Sequence, residues 1–158
     1  MEYLSLRHRE FKTTLRVLES YPETRADLKP SEKSRSAAEL AMMLVIEEQV
    51  ITSLIKTGNA DTTVWSKDRP ASLAGIINAW QTVVAENDRL LQNLLDEDFK
   101  KTVKFYGMHL PLQDALWFEM LDHIHHRGQF SVYLRLADAK VPSIYGPSAD
   151  EPMQTATS

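Results

Sequence analysis

Histidine and acidic residues are concentrated in one short stretch near the C-terminal end of the chain. Three of the five histidines of this 158-residue protein are His123, His125 and His126, and Asp122 directly precedes the first of them. On an α-helix, Asp122 and His126 would point the same way, one turn from each other. A carboxylate oxygen and an imidazole nitrogen at this spacing predict a pair of ligands for a divalent metal ion.

The stretch from Trp117 to Leu136 is the element that would position this pair. It contains no proline and ends in good helix formers, which predicts one long helix. One broad face of this helix would mix apolar and polar side chains, namely those of Phe118, Asp122, His125, His126, Gln129, Val132, Tyr133 and Leu136. Because buried polar groups need partners, this face predicts a hydrogen-bond network, a bound ion or water.

Apolar residues at helical spacing predict three further helices, at Glu2–Ser20, Ala37–Thr57 and Ser72–Leu95. Ser34 or Ser36 is expected to cap the second helix, and Gly58 to end it. The connection Asp96–Pro111 is too long for a tight helical hairpin, and we expect a short extended piece in it before Gly107. Four helices with two long connections predict an all-α four-helix bundle that is not in the simplest up-down-up-down order.

Composition limits the classes of function. Apolar residues make up 43% and charged residues 25% of the chain, as in soluble globular proteins. The net charge of -4 and the lack of a basic block predict no nucleic-acid partner. The absence of cysteine excludes disulfides, thiolate ligands and a cysteine nucleophile. No apolar run is long enough to span a bilayer, so we expect a cytoplasmic protein without a membrane partner.

A second block of residues lies on and after the last predicted helix, at His125–Gln129, Tyr133–Arg135 and Val141–Ser148, followed by Asp150. In this block the chain resembles the DinB-like family. The resemblance implies an up-down-down-up four-helix bundle over residues 1–151, usually a homodimer, and residues 152–158 are expected to form a disordered tail. Members are commonly described as DNA-damage-inducible proteins or as metalloenzymes, and relatives include S-transferases and isomerases that use bacillithiol or mycothiol. A thiol or another small molecule is therefore the implied partner.

The resemblance also implies a metal site. In family members with an intact site, three histidines hold zinc or nickel, one from the second helix and two spaced four apart on the last. Those positions fall on Met43, Asp122 and His126 in this chain. Asp122 still suits zinc, iron or manganese, whereas the thioether of Met43 favours softer ions. Glu47, one turn beyond Met43, would complete a His-Asp-Glu set, and Glu48 beside it is the candidate general base.

Two hypotheses for function stay open. In the first, Glu47, Asp122 and His126 bind a divalent ion (zinc, nickel, iron or manganese) that activates a thiol or water in a transferase or hydrolase reaction. In the second, Asp122 and His126 form only a buried carboxylate-imidazole hydrogen bond. No metal is then bound, and the dimeric bundle serves as a small-ligand binding or interaction module.

The remaining polar residues of the last helix have other expected places. Successive helical residues diverge by about 100°, so neither His123 nor His125 is predicted as a ligand. His125 is expected to face a partner helix, and His123 to lie at the surface or at a dimer contact. Arg127 is expected to anchor the tail or a neighbouring helix by hydrogen bonds, and the turn at Tyr145–Pro147 to pin the tail over the bundle.

Overall fold

The computed structural model describes residues 2–66 and 69–153, apart from the side chains of Glu2, Trp65 and Ser66. Within these residues the chain forms four α-helices and one two-stranded hairpin: α1 (Glu2–Glu19), α2 (Ala37–Thr57), α3 (Leu73–Gln92), β1 (Thr102–Phe105), β2 (Met108–Pro111) and α4 (Leu112–Leu136). The predicted four-helix bundle is confirmed. Of the tail predicted at 152–158, residues 154–158 lie outside the described residues, and Pro152 and Met153 are exposed.

Three hydrogen bonds show the directions of the helices, and they join Tyr3 to Leu116, Arg7 to Asp88 and Tyr133 to Arg35. The first joins the early turns of α1 and α4, so these two helices run in the same direction. The second joins an early turn of α1 to a late turn of α3. The third joins a late turn of α4 to Arg35, which lies two residues before the start of α2. Both α2 and α3 therefore run the opposite way, which gives the up-down-down-up order.

Local signals set both ends of α2. The Ser36 hydroxyl accepts a hydrogen bond from the backbone N–H of Glu39 at 3.1 Å, and the Glu39 carboxylate accepts from the backbone N–H of Ser36 at 2.7 Å. This reciprocal pair is a capping box, which fixes the first turn of a helix. Gly58 ends the helix with a φ of +72°. As a result α2 has the predicted bounds, and Glu47 is held at a fixed place in the core.

A short antiparallel hairpin occupies the connection between α3 and α4. Val103 of β1 lies opposite Leu110 of β2. The turn between the strands consists of Tyr106 and Gly107, with φ values of +46° and +87°, as in the two-residue turns that suit the strand twist. The expected extended piece before Gly107 is confirmed, and the second strand that pairs with it was not predicted.

The last helix differs from the prediction in its start and in its buried face. It begins at Leu112 rather than Trp117, because β2 leads directly into it. Phe118, Val132 and Leu136 were predicted on the buried face but are 52%, 56% and 46% exposed. That face was assigned wrongly because α4 is apolar nearly all round, so periodicity did not select one side. Its buried residues are Leu112, Ala115, Leu116, Glu119, Met120, His123, His126, Arg127, Phe130, Tyr133 and Leu134.

The core is centred on α2, which packs against both α3 and α4. Besides apolar side chains, the core contains many polar ones: Arg7, Glu10, Thr14, Glu47, Glu48, Asn87, Glu119, His123, His126 and Arg127. Burying so many polar groups is costly unless they are paired. These residues therefore mark the part of the bundle in which a functional site is to be sought. None of the helices in the described part of the chain combines the length and apolar character needed to cross a bilayer.

The segment after α4 folds back onto the bundle. The Tyr145 hydroxyl donates to the Glu10 carboxylate at 2.7 Å and accepts from Nη2 of Arg127 at 2.6 Å. Arg16 of α1 binds the Glu151 carboxylate with nitrogen–oxygen distances of 2.7 and 2.8 Å. The expected anchoring of the tail through this tyrosine and Arg127 is confirmed.

Candidate metal centre

Three possible ligands meet between α2 and α4. One oxygen of Glu47, one oxygen of Asp122 and a ring nitrogen of His126 all lie within 4.8 Å of one another. Glu47 and His126 are buried, whereas the Asp122 side chain is 53% exposed. The structure therefore brings together the three residues predicted as ligands, with a closed side formed by α2 and an open side at Asp122.

The carboxylate bonded to His126 is that of Glu47, not that of Asp122. Nδ1 of His126 forms a short hydrogen bond with Oε1 of Glu47. The same nitrogen lies 3.8 Å from Oδ2 of Asp122, which is too far for a hydrogen bond. The predicted Asp122–His126 hydrogen bond is therefore wrong, because α2 approaches the imidazole more closely than the preceding turn of α4 does.

Burial controls the protonation of this pair. It raises the pKa of Glu47 well above its usual value, and the nearby negative charges of Asp122 and Glu48 raise it further. Burial also lowers the pKa of His126, although the charge of Asp122 opposes this shift. Both changes favour uncharged side chains, since a charge is poorly solvated inside the bundle. A divalent cation at this position would supply the positive charge that ionised Glu47 and Asp122 require.

An open cleft of about 430 Å³ adjoins Asp122, one of the three residues. Its lining comes from the hairpin and from α4, and consists of Phe105, Tyr106, Phe118, Glu119, Leu121, Asp122 and His125. His125, which was expected against a partner helix, is exposed within the chain and lies 2.9 Å from Gln129 on its own helix. The cleft gives a small molecule a route to the Asp122 side of the centre.

A fourth polar side chain, that of His123, lies on the inner side of the same centre. Its side chain is 1% exposed, and its ring stacks on Phe11 with 4.3 Å between the ring centroids. Nδ1 of His123 is 3.5 Å from Oε2 of Glu47. The predicted surface or dimer position of His123 is therefore wrong. A residue three positions before His126 shares much of its helix face, and this spacing could have indicated the burial.

A family model provides the decisive comparison, since the model of the DinB family matches residues 2–157. The chain belongs to the DinB family. A 56-residue stretch is 38% identical to the uncharacterized protein YrdA of Bacillus subtilis. The matched stretch covers 35% of this chain and 34% of that relative, so the chain matches about one third of the relative's length.

Two solved structures of DinB-like proteins resemble the whole bundle. YjoA of Bacillus subtilis is 21% identical, with 91% of this chain and 97% of that chain covered and a TM-score of 0.76. A DinB-like protein of Bacillus cereus ATCC 10987 is 23% identical, with 90% and 95% covered and a TM-score of 0.79. At these identities the likeness supports the fold alone.

Within this DinB-family bundle, the position that the resemblance gives to the second-helix ligand holds Met43. Met43 is buried in the apolar core and is not one of the converging groups. Glu47, one helical turn later, takes that place and presents an oxygen to His126. Carboxylate oxygen and imidazole nitrogen together suit zinc, iron or manganese, so the residues of this DinB protein fit a divalent ion.

Glu119 belongs to the same acidic cluster and was missed by the sequence prediction. It is 4% exposed, and its pKa is raised to about 9 by burial and by the negative charges of Glu47 and Asp122. The available signal was its spacing, because Glu119 lies three residues before Asp122 and four before His123. Tyr106, also missed, has its pKa raised by burial and by the charges of Glu119 and Glu47, so its hydroxyl keeps its proton.

The candidate general base, Glu48, follows Glu47 on α2, but its carboxylate is bonded by Arg7 and Asn87. Nη1 of Arg7 donates to Oε1 of Glu48 at 2.9 Å, and Nδ2 of Asn87 donates to Oε2 at 2.8 Å. A carboxylate held in this way has to leave Arg7 before it can take a proton from a substrate. The catalytic role of Glu48 stays a prediction, and its contacts are those of a group that supports the bundle.

Proposed function

We propose that this DinB-family protein is a metal-dependent transferase or hydrolase in which Glu47, Asp122 and His126 hold a divalent ion. The observation that carries the proposal is the convergence of the three ligand atoms within 4.8 Å beside an open cleft. When bound, the ion would lower the pKa of a thiol or a water molecule and so supply a nucleophile at neutral pH. Zinc, nickel, iron and manganese are the ions to be tested, since the ligand set suits several of them.

The residues that line the cleft would position a substrate. Asp122 is the ligand nearest to solvent, so a substrate entering the cleft meets it first. Tyr106 keeps its proton, which allows its hydroxyl to donate a hydrogen bond to an acceptor in the cleft. The aromatic rings of Phe105 and Phe118 give the cleft an apolar wall, which favours a substrate with an apolar part.

A metal-free binding module is the second candidate. The hydrogen bond between Glu47 and His126 pairs two of the three possible ligand residues without any ion. The cleft of about 430 Å³ would still accept a small ligand. In this case Asp122 and Tyr106 would recognise a polar ligand, and no reaction would follow.

We also propose that the protein is a homodimer that uses the exposed side of α4. Large apolar side chains lie on this side, namely Trp117, Phe118, Leu121, Val132 and Leu136, with exposed fractions between 38% and 61%. An exposed apolar stripe along a helix is typical of an interface. A second copy running along α4 would cover it and would enclose the mouth of the cleft.

The deciding experiment measures metal content by mass spectrometry on protein purified without a histidine tag. We expect close to one ion per chain in the unchanged protein and in His109→Ala, whose exposed histidine lies on β2. We expect His126→Ala to lose the ion. If the unchanged protein stays metal-free after incubation with zinc, nickel, iron and manganese, the enzyme proposal is wrong and the binding module remains.

A positive metal result would be followed by an assay of thiol transfer with low-molecular-weight thiols and electrophilic acceptors. Activity that depends on the ion and is lost in Glu47→Gln would support a transferase. Ion-dependent release of product from ester or amide substrates without a thiol would instead support a hydrolase.

A further inference from the structure

Glu119 carries a buried carboxyl group without a partner, and it lines the cleft beside the candidate metal centre. The residue is 4% exposed, and it forms no hydrogen bond or ion pair with any residue that the structure describes. Its oxygens are not among the fully enclosed atoms, so the carboxyl group opens into the cleft that it lines. Because a buried polar group needs a partner, this carboxyl group is available to a ligand in the cleft.

The charged side chains in the lining of the cleft are acidic. Besides Glu119 the lining contains Asp122, and it contains no lysine or arginine; its one imidazole, that of His125, is bonded to Gln129. Glu119 and Asp122 are three apart on α4, so they lie on the same side of the helix. Burial, followed by the negative charges of Glu47 and Asp122, raises the pKa of Glu119 to about 9, as expected of a carboxyl group without a cation beside it. The cleft therefore favours a positively charged ligand.

Three aromatic rings form much of the remaining lining. Phe105 and Tyr106 come from the hairpin, and Phe118 comes from α4. The ring centroid of Phe105 lies 4.6 Å from that of Tyr106 and 6.0 Å from that of Phe118, so the three rings form one cluster. The face of an aromatic ring attracts an organic cation, and rings gathered around a cation are a known means of binding ammonium groups. Carboxyl group and rings together fit a small organic cation.

A metal ion is a poorer occupant of this part of the cleft. A divalent ion such as zinc needs three or more ligand atoms at about 2.0–2.2 Å. Among the described residues, the possible ligand atoms that converge belong to Glu47, Asp122 and His126, without Glu119. The aromatic rings offer a metal ion no ligand atoms, whereas they attract an ammonium group that has left part of its water behind.

We infer that the cleft binds a small organic amine in its ammonium form through the Glu119 carboxylate and the rings of Tyr106 and Phe118. This inference deepens the proposed function, since it names the substrate class of the same cleft. The ammonium group would bond Glu119, and the rest of the molecule would lie against the apolar lining, beside Asp122. A volume of about 430 Å³ is sufficient for a molecule of the size of an arylalkylamine.

The test uses phenethylamine as the probe and compares it with phenethyl alcohol and phenylacetate, which are similar in size but neutral and negatively charged. Binding to the full-length protein as purified is measured by titration calorimetry near pH 8, where the amine is still charged. We expect the amine to bind at least about tenfold more tightly than the alcohol, because a hydrogen bond between charged groups is stronger than one between neutral groups. If the alcohol or phenylacetate binds as tightly as the amine, the inference is wrong.

Variants of two lining residues locate the binding site. Glu119→Gln keeps the size of the side chain and removes the charge, and Glu32→Gln is the matched control at an exposed position. We expect Glu119→Gln to bind the amine about tenfold more weakly and Glu32→Gln to bind it like the unchanged protein. Tyr106→Asn removes a ring but keeps a residue type that tolerates the φ of +46°, and it should weaken binding about two- to fivefold. An unchanged amine affinity in Glu119→Gln would overturn the inference.

Zinc titrations of the same proteins separate this inference from the proposed function, and thermal unfolding checks that each variant folds. We expect Glu119→Gln to bind zinc like the unchanged protein, since Glu119 is not one of the converging ligands. A joint loss of zinc and amine would assign Glu119 to the metal centre and refute the inference. If zinc binds but the amine does not, the inference is wrong and the proposed function stands. If the amine binds through Glu119 and no metal binds, the inference stands and the enzyme proposal is wrong.

Discussion

Arg7 of α1 and Glu48 of α2 form an ion pair that is almost completely buried, with Nη1 of Arg7 2.9 Å from Oε1 of Glu48. Removing one member of such a pair leaves an uncompensated charge inside the protein, which is more costly than losing the attraction itself. We predict that Arg7→Ala lowers the free energy of unfolding by about 3–5 kcal/mol. Chemical denaturation measures this change, and Arg9→Ala, with its side chain 74% exposed, is the control. Equal midpoints for the two variants would contradict the prediction.

Glu119 should make stability depend on pH. Its pKa is about 9 in the folded protein and close to the ordinary value of a glutamate when unfolded. The folded state thus keeps the proton that the unfolded state releases, so this group lowers stability as the pH rises between those two values. We predict that Glu119→Gln, measured without metal, matches the unchanged protein near pH 5 and exceeds it by up to about 4 kcal/mol near pH 8. If thermal unfolding shows the same stability difference between the two proteins at both pH values, the raised pKa of Glu119 is wrong.

Metal binding should release a proton from Glu47. Its pKa is raised well above the usual value, mainly by burial, so the carboxyl must lose a proton before it can become a ligand. We predict that zinc affinity rises by about tenfold per pH unit while Glu47 remains protonated. Calorimetry in buffers with different ionisation enthalpies should detect about one released proton. An affinity that does not change with pH would show that Glu47 is already ionised.

The tail should contribute modestly to stability. Tyr145→Phe removes the hydroxyl that bonds both Glu10 and Arg127. Those two residues still pair with each other at 2.7 Å, so neither is left alone. We predict a loss of about 1 kcal/mol in the free energy of unfolding, the usual size for one hydrogen bond. Met153→Ala, at an exposed position beyond the pinned turn, should change nothing measurable.

The proposed dimer should be sensitive to charge on α4. Val132 is 56% exposed on the apolar side of this helix, and Leu95 is 61% exposed three residues after the end of α3. We predict that Val132→Glu weakens self-association at least tenfold, because the new charge would be buried in the interface. Leu95→Glu should leave the dimer intact. Light scattering after gel filtration separates the two cases, and a monomeric unchanged protein would refute the dimer.

Local sequence signals predicted the parts of the fold that depend on neighbouring residues. The ends of α2 follow from Ser36, Glu39 and Gly58, whose capping roles need only the adjacent backbone. The extended piece before Gly107 could be predicted for the same reason. The buried face of α4 could not, because its apolar residues surround the helix, and only packing against α1 and α2 decides which side is covered.

The candidate site shows the same division. The proximity of Asp122 to His126 could be predicted from their spacing, and that of Glu47 from its place one turn beyond Met43. The sequence did not indicate that Glu47 would displace Asp122 as the hydrogen-bond partner of His126, since this depends on how closely α2 approaches α4. The burial of His123 likewise depends on α1, which supplies Thr14 and Phe11 to its ring.

The pinned tail has a practical consequence for handling the protein. Tyr145 bonds Arg127, Arg127 bonds Thr14, and Thr14 bonds His123, so the C-terminal segment and the inner wall of the candidate metal centre belong to one connected set of side chains. Ending the chain before Tyr145 would remove a residue that bonds Arg127 and is connected through it to the candidate metal centre. An expression plasmid intended for metal analysis should therefore retain the sequence through Glu151 and place any affinity tag beyond it.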